Sequence, residues 1–195
     1  MPKIVDHDHQ KKLIAEATWR VIQFEGMEGA TVRKIAKEAG LSLGALRHYF
    51  STQNELLVYA MNLVKDRVIA RISKIAASDL QPKEKVLNII LEIIPINEET
   101  MAEMEVWFTF IFYSRKKGDV FGTDSDGIFL AIDNIFTFLE KHQLLRKNLH
   151  IDIEKEKLYA IIDGLAIHAM LEPSRVNYEL VSSVISHHLN LICIE

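Results

Sequence analysis

A chain of 195 residues with a formal net charge of −4 is long enough for one substantial domain, or for a small module attached to a larger one. Its hydrophobic fraction is 49%, with only four prolines and eight glycines, which calls for long helices over a buried core and argues against intrinsic disorder. No apolar run reaches the ~18 residues that cross a bilayer, the N-terminal MPKIVDHDHQKK is polar where a signal peptide is apolar, and the lone Cys193 has no partner for a disulfide or a Cys-x-x-Cys centre. A cytosolic protein without membrane, metal or cofactor is the expectation.

The charge is uneven along the chain. Residues 1–67 hold ten Lys or Arg against eight Asp or Glu, net +2, and the remainder is net −6. Arg33, Lys34, Lys37 and Arg47 cluster in the first part. A charge run of this kind is often no more than a solvated face.

Helical spacing of Ile14, Ala17, Val21, Ile22 and Phe24 predicts a first amphipathic helix that ends at Gly26 and Gly29. Thr31 is placed as an N-cap whose hydroxyl accepts from the backbone N–H of Arg33 or Lys34. Val32, Ile35, Ala36 and Ala39 give a short second helix that stops at Gly40, a residue suited to the left-handed C′ position, after which Leu41 turns inward. Ser42 caps a third short helix, in which Ala45, Leu46, Tyr49 and Phe50 are available for packing. Thr52 and Glu55 have capping-box spacing and open a long fourth helix with Leu57, Met61, Val64, Val68, Ile72 and Ile75 along one seam. Helices below ~12 residues are marginal alone, so the two short ones need the first and fourth as a platform. Two short helices joined by a tight glycine turn form a helix-turn-helix, whose second helix fits the major groove of B-DNA.

A new helix is expected at Gln81-Pro82, since proline suits a first helical turn. Met104 to Tyr113 is apolar nearly all round, which predicts the centre of a bundle. Trp107, Phe108, Phe110 and Tyr113 could line an aromatic pocket or simply fill core. Glu103 and Glu105 beside Trp107 would suit a cationic ligand, or be solvated at the helix edge. Counting from Gly122, Asp124, Asp126, Gly127 and Asp133 fall on calcium-loop positions, but position one is glycine and the last lacks the bidentate glutamate, so a solvated connection is expected. Two closing helices carry Leu158, Ile161, Ile162, Leu165, Ala169 and Met170, then Val181, Val184, Ile185, Leu189 and Ile192. Tyr159, Asp163 and His168 interrupt the first of these faces as pocket groups or interface hydrogen bonds. His187 and His188, about 100° apart on a helix, cannot clasp one metal, and His7 and His9 are expected in a disordered polar tail.

With these residues in place, 10–57 resembles the DNA-binding domain of TetR-family transcriptional regulators, GATVRKIAKEAGLSLGALRHYFSTQNELL following the family pattern without insertion. LRHYF, EVWFTF and IIDGLAIHAMLEP are most similar to the branch that includes the choline-sensing regulator BetI. The resemblance implies an all-α dimer, with a helix-turn-helix DNA-binding domain over 1–52 and a helical ligand-binding and dimerisation domain over 53–195. It implies that Thr31 contacts phosphate, that Arg33, within the basic cluster that includes Lys34, reaches a base edge, and that Ser42, Leu43, Gly44 and Arg47 face the groove. His48 and Tyr49 match positions that bind backbone or base, and Leu43 could read only a thymine methyl. Gln53 departs from the pattern, standing where many relatives carry lysine. The candidate effector residues are Glu103, Trp107, Phe108, Phe110, Tyr113 and Asp163, and the two last helices are implied to pair with their twofold mates.

No Gly-x-Ser-x-Gly, phosphate-binding glycine loop or His-Glu-x-x-His is present, so catalysis is not expected. The expected function is a repressor released from a palindromic double-stranded DNA operator by a small-molecule effector. A protein-binding helical adaptor and an activator of the same fold are the alternatives.

Overall fold

The computed structural model describes residues 6–116 and 127–194. Among them are nine helices: α1 His7–Gly29, α2 Val32–Glu38, α3 Leu43–Tyr49, α4 Gln53–Ala76, α5 Pro82–Ile93, α6 Glu98–Lys116, α7 Gly127–Lys141, α8 Ile151–Leu171 and α9 Tyr178–Ile192. No helix among the described residues is long and apolar enough to cross a membrane. The described residues form two compact units, one from 6–67 with 105–116, the other from 68–104 with 127–194. The change of packing falls inside α4, because Leu56, Leu57, Ala60, Met61 and Val64 on its first half complete the core beneath α1, α2 and α3.

In the first unit Ile14, Val21, Ile22, Ile35, Leu46 and Phe50 meet that half of α4, and Val106 and Phe110 of α6 join them. Two long-range polar contacts fix α1 on α4: Trp19 Nε1 donates to the Ala60 carbonyl at 2.9 Å, and Arg67 bonds Glu16 while its guanidinium lies 4.7 Å from the Trp19 ring centroid. Phe24 does not join this core and is 87% exposed. His7 and His9 are not in a disordered tail. They form the first turn of α1, where Asp6 Oδ1 accepts the backbone N–H groups of Asp8 and His9.

In the second unit, Val86 and Ile90 of α5, Ile132 and Phe136 of α7, Leu158 and Ile162 of α8, and Ile185 and Leu189 of α9 share one core. The chain's last residues close it. Ile194 donates to the Leu144 carbonyl and Arg146 to that of Ile192, a short antiparallel pairing, while the Arg146 side chain donates to the carbonyls of Cys193 and Asn190 at the end of α9. The connection at 117–126, with Gly122, Asp124 and Asp126 of the calcium-loop count, lies outside the described residues. Asp133 from the same count accepts Lys155 Nζ at 2.6 Å.

Candidate functional site

Local hydrogen bonds set the helix-turn-helix. The helical path of α1 breaks at Gly26, φ 69°, and ends at Ala30. Thr31 Oγ1 accepts the Lys34 N–H at 3.4 Å and Ser42 Oγ accepts the Ala45 N–H at 3.1 Å, and both residues are exposed. Between the two short helices, the Gly40 N–H bonds the Lys37 carbonyl and the Leu41 N–H bonds that of Ala36, the paired closure of a helix with a left-handed residue at C′. Gly40 supplies it, with φ 67°. Leu41 then packs against the core, as its position after the turn predicts.

On α2, Ile35 and Ala36 are buried while Arg33, Lys34 and Lys37 are exposed; on α3, Leu46 is buried, Leu43 and Tyr49 are half-buried, and Gly44, Arg47 and His48 are exposed. A Cβ on Gly44 would meet nothing closer than Ser42 Oγ at 3.9 Å, so packing does not demand glycine there, and its absence of side chain leaves room for another surface to approach. Lys34 is bonded to Glu25 and must leave it to reach a phosphate. Arg33 and Arg47 form no ion pair among the described residues.

The start of α4 differs from the expected capping box in one partner. Thr52 Oγ1 accepts the Glu55 N–H at 3.0 Å, but the Glu55 carboxylate reaches back to the N–H and hydroxyl of Ser51. Those Ser51 bonds hold its carboxyl below the ordinary range. Gln53 has a role its sequence context did not reveal: its Nε2 donates to the Ala30 carbonyl at 2.8 Å, joining α4 to the residue before Thr31.

The candidate effector residues are divided between the two units. Glu103 and Asp163 belong to the second unit; Trp107, Phe108, Phe110 and Tyr113 belong to the first. Glu103 is 5% exposed and takes both Nη atoms of Arg71, at 2.7 and 3.3 Å, while Arg71 Nε bonds Glu92 at 2.7 Å. Hydrogen bonding to Glu103, and then to Glu92, holds the guanidinium firmly charged. Trp107 already has a cation over its ring, Lys65 Nζ at 5.5 Å, and Glu105 accepts Gln23 Nε2 at 3.0 Å. The acidic and aromatic groups that the sequence offers to a cationic ligand are thus engaged by the chain's own side chains. Phe110 is buried, Phe108 stacks on Phe112, and Tyr113 and Asp163 are half-buried.

Residues 14–60, which hold α1 to α3 and the start of α4, match the profile of bacterial regulatory proteins of the tetR family, and 82–193 match that of the C-terminal region of BetI-type transcriptional repressors. The chain belongs to the TetR family. The HTH-type transcriptional regulator PksA of Bacillus subtilis (strain 168) is 58% identical over 195 residues, spanning 100% of this chain and 95% of that protein. BetI of Klebsiella pneumoniae (strain 342) is more distant, 26% identical over 97% of this chain and 96% of its own. Among solved structures, a transcriptional regulator from Rhodococcus sp. Rha1 superposes with a TM-score of 0.79 at 24% identity, covering 93% of this chain and 95% of that one. A regulator from Saccharomonospora viridis, solved in complex with choline, gives 0.76 at 20% identity over 96% and 100%. At these identities the two structures establish the shared fold. Regulators of the TetR family bind DNA operators and ligands as dimers, and this one is a helix-turn-helix transcriptional regulator of the repressor type.

Proposed function

We propose that this TetR-family regulator is a cytoplasmic, non-catalytic homodimer that represses transcription from a pseudo-palindromic operator and is released by a small-molecule effector. The observation that carries the DNA-binding part is the exposed edge of α2 and α3, where Arg33 and Arg47 lack ion pairs and Thr31 and Ser42 are exposed. Arg33 and Arg47 read base edges in this arrangement, Ser42, Leu43 and Gly44 approach the groove, and Lys34, His48 and Tyr49 meet the backbone around it. The head is the helix-turn-helix of 1–52, and the remainder serves ligand and dimer. The dimer surface is supported by a stripe of half-buried or exposed residues on α8, Ala160, Gly164, Ile167 and Leu171, and another on α9 through Leu180 and Leu191. Nothing lies within 4 Å of a Cβ placed on Gly164, which leaves room for a partner backbone. Two heads then occupy successive major grooves about 34 Å apart.

Release follows if the effector binds a head spacing different from the DNA-competent one more tightly, and by linkage the operator must weaken effector binding by the same factor. The effector is not assigned. Engagement of Glu103 by Arg71 and of Trp107 by Lys65 weighs against a quaternary ammonium bound at those two groups, although relatives of that branch share the fold.

The test is selection of sites from a random DNA pool, with footprinting at a stated salt concentration. An inverted repeat that is lost on Arg33→Ala with Arg47→Ala, helical circular dichroism unchanged, is the expected result. No enrichment from folded, dimeric, ligand-free protein would favour a protein-binding adaptor.

A further inference from the structure

Outside the helix-turn-helix, one side chain stands on the same surface as the end of the recognition helix. His7, in the first turn of α1, has its ring 4.8 Å from that of Tyr49 and 6.3 Å from that of His48, whose own rings are 5.7 Å apart. Forty-one residues separate His7 from His48 in sequence, and the packing of α1 against α3 brings them together. His7 and His48 are exposed, and neither ring nitrogen of His7 hydrogen-bonds among the described residues.

Local structure explains why this face of α1 suits a polyanion despite the acidic residues around it. Asp6 is turned into the helix end, its Oδ1 accepting two backbone N–H groups at 3.2 and 3.1 Å. Asp8, about 100° round the helix from His7, lies toward Tyr59, whose pKa is raised by burial and then by the Asp8 charge. Lys11, one turn on from His7, shares its side and lies over the Phe50 and Tyr59 rings at 5.3 and 5.7 Å from their centroids. The face of α1 beside the end of α3 therefore presents the His7 imidazole, while the Lys11 ammonium on the same side is engaged over the two rings.

We propose that His7 is a further DNA contact of this regulator, its imidazole N–H donating to the backbone phosphate adjoining the one met by His48 and Tyr49. The inference rests on the assignment of α3 as the recognition helix. Such a contact positions the protein without reading sequence, so its loss weakens binding evenly across operators. By holding the Tyr49 ring, His7 also fixes the last turn of α3 at the groove edge.

The experiment is a double-mutant cycle on a selected operator, combining His7→Ala and His7→Phe with DNA in which single phosphates are replaced by uncharged methylphosphonates. His7→Phe keeps a ring against Tyr49 but removes the donor. Both variants should bind roughly three- to tenfold more weakly per half-site, as expected for one solvent-exposed hydrogen bond. At one phosphate position per half-site, the methylphosphonate should cost the variants little further, whereas it weakens the wild type by a similar factor. Wild-type affinity of His7→Phe, or a loss that is the same at every phosphate, would overturn the contact. Retention of specific binding by Arg47→Ala would overturn the underlying assignment of α3 separately.

Discussion

Arg71→Met should destabilise the protein by about 3 kcal/mol, because it removes the charge that compensates buried Glu103 while keeping most of the side-chain stem. Removing one partner of a buried pair costs roughly 3–5 kcal/mol, since the remaining charge is stranded away from water. Glu103 meets that condition, with 6% of its side chain exposed. Arg71 and Glu92 keep 22% and 28% exposure, so solvent screening places the expected cost near the lower bound. Glu99, 3.9 Å from Arg71 Nη1 and 65% exposed, adds little. In the Arg71→Met background, Glu103→Gln should recover about 2 kcal/mol, because it removes the stranded charge and leaves only an amide to satisfy. The assay is urea unfolding followed by far-ultraviolet circular dichroism, at one fixed protein concentration because dimerisation is linked to folding. A loss below about 1 kcal/mol for Arg71→Met, or strict additivity of the two substitutions, would refute the account of a buried carboxylate held by one guanidinium.

Three further outcomes follow from single positions. Gly40→Ala should cost about 1 kcal/mol with no steric clash, since φ is 67° and nothing lies within 4 Å of the added Cβ; a thermal scan finding no decrease would contradict the left-handed turn. Burial lowers the pKa of His188, with Lys157 adding to that effect, Glu154 opposing it and His187 lowering it further, and its Nε2 has no hydrogen-bond partner among the described residues. The unfolded chain then binds a proton first, so the stability contributed by neutral His188 is present above about pH 6.5 and is lost as pH falls through that value toward the lower folded pKa. His188→Gln should flatten that part of the urea-midpoint profile, and an unchanged profile would exclude it. Gln53→Ala should lower stability by about 1 kcal/mol through the Ala30 carbonyl, whereas Gln53→Lys should steepen the salt dependence of operator binding by about one unit per half-site; a Lys variant with the wild-type slope would place position 53 away from phosphate.

The order of helices and the turn between the two short ones were legible because their signals are local. Thr31, Ser42 and Thr52 each satisfy a backbone N–H three residues on, and Gly40 closes α2 through bonds within five residues. Spacing of three and four likewise exposed the buried side of the first half of α4 and much of those of α8 and α9, whereas Val68 and Ile75 of the α4 seam join neither core. Phe24 shows the limit of that pattern: it is apolar and near the right spacing, yet is exposed. Side-chain partners far apart in sequence were not legible. Gln53 and Ala30 are 23 residues apart, Arg71 and Glu103 are 32, and which donor meets which acceptor depends on the rotation and crossing of packed helices. The sequence by itself thus determined the short helices, their caps and the turn between them, because backbone hydrogen bonding and helical periodicity act within a few residues. Only the tertiary structure decided that Glu103 belongs to Arg71, that Lys65 covers Trp107 and that His7 lies beside Tyr49, because those contacts exist only once the cores have set where each helix stands.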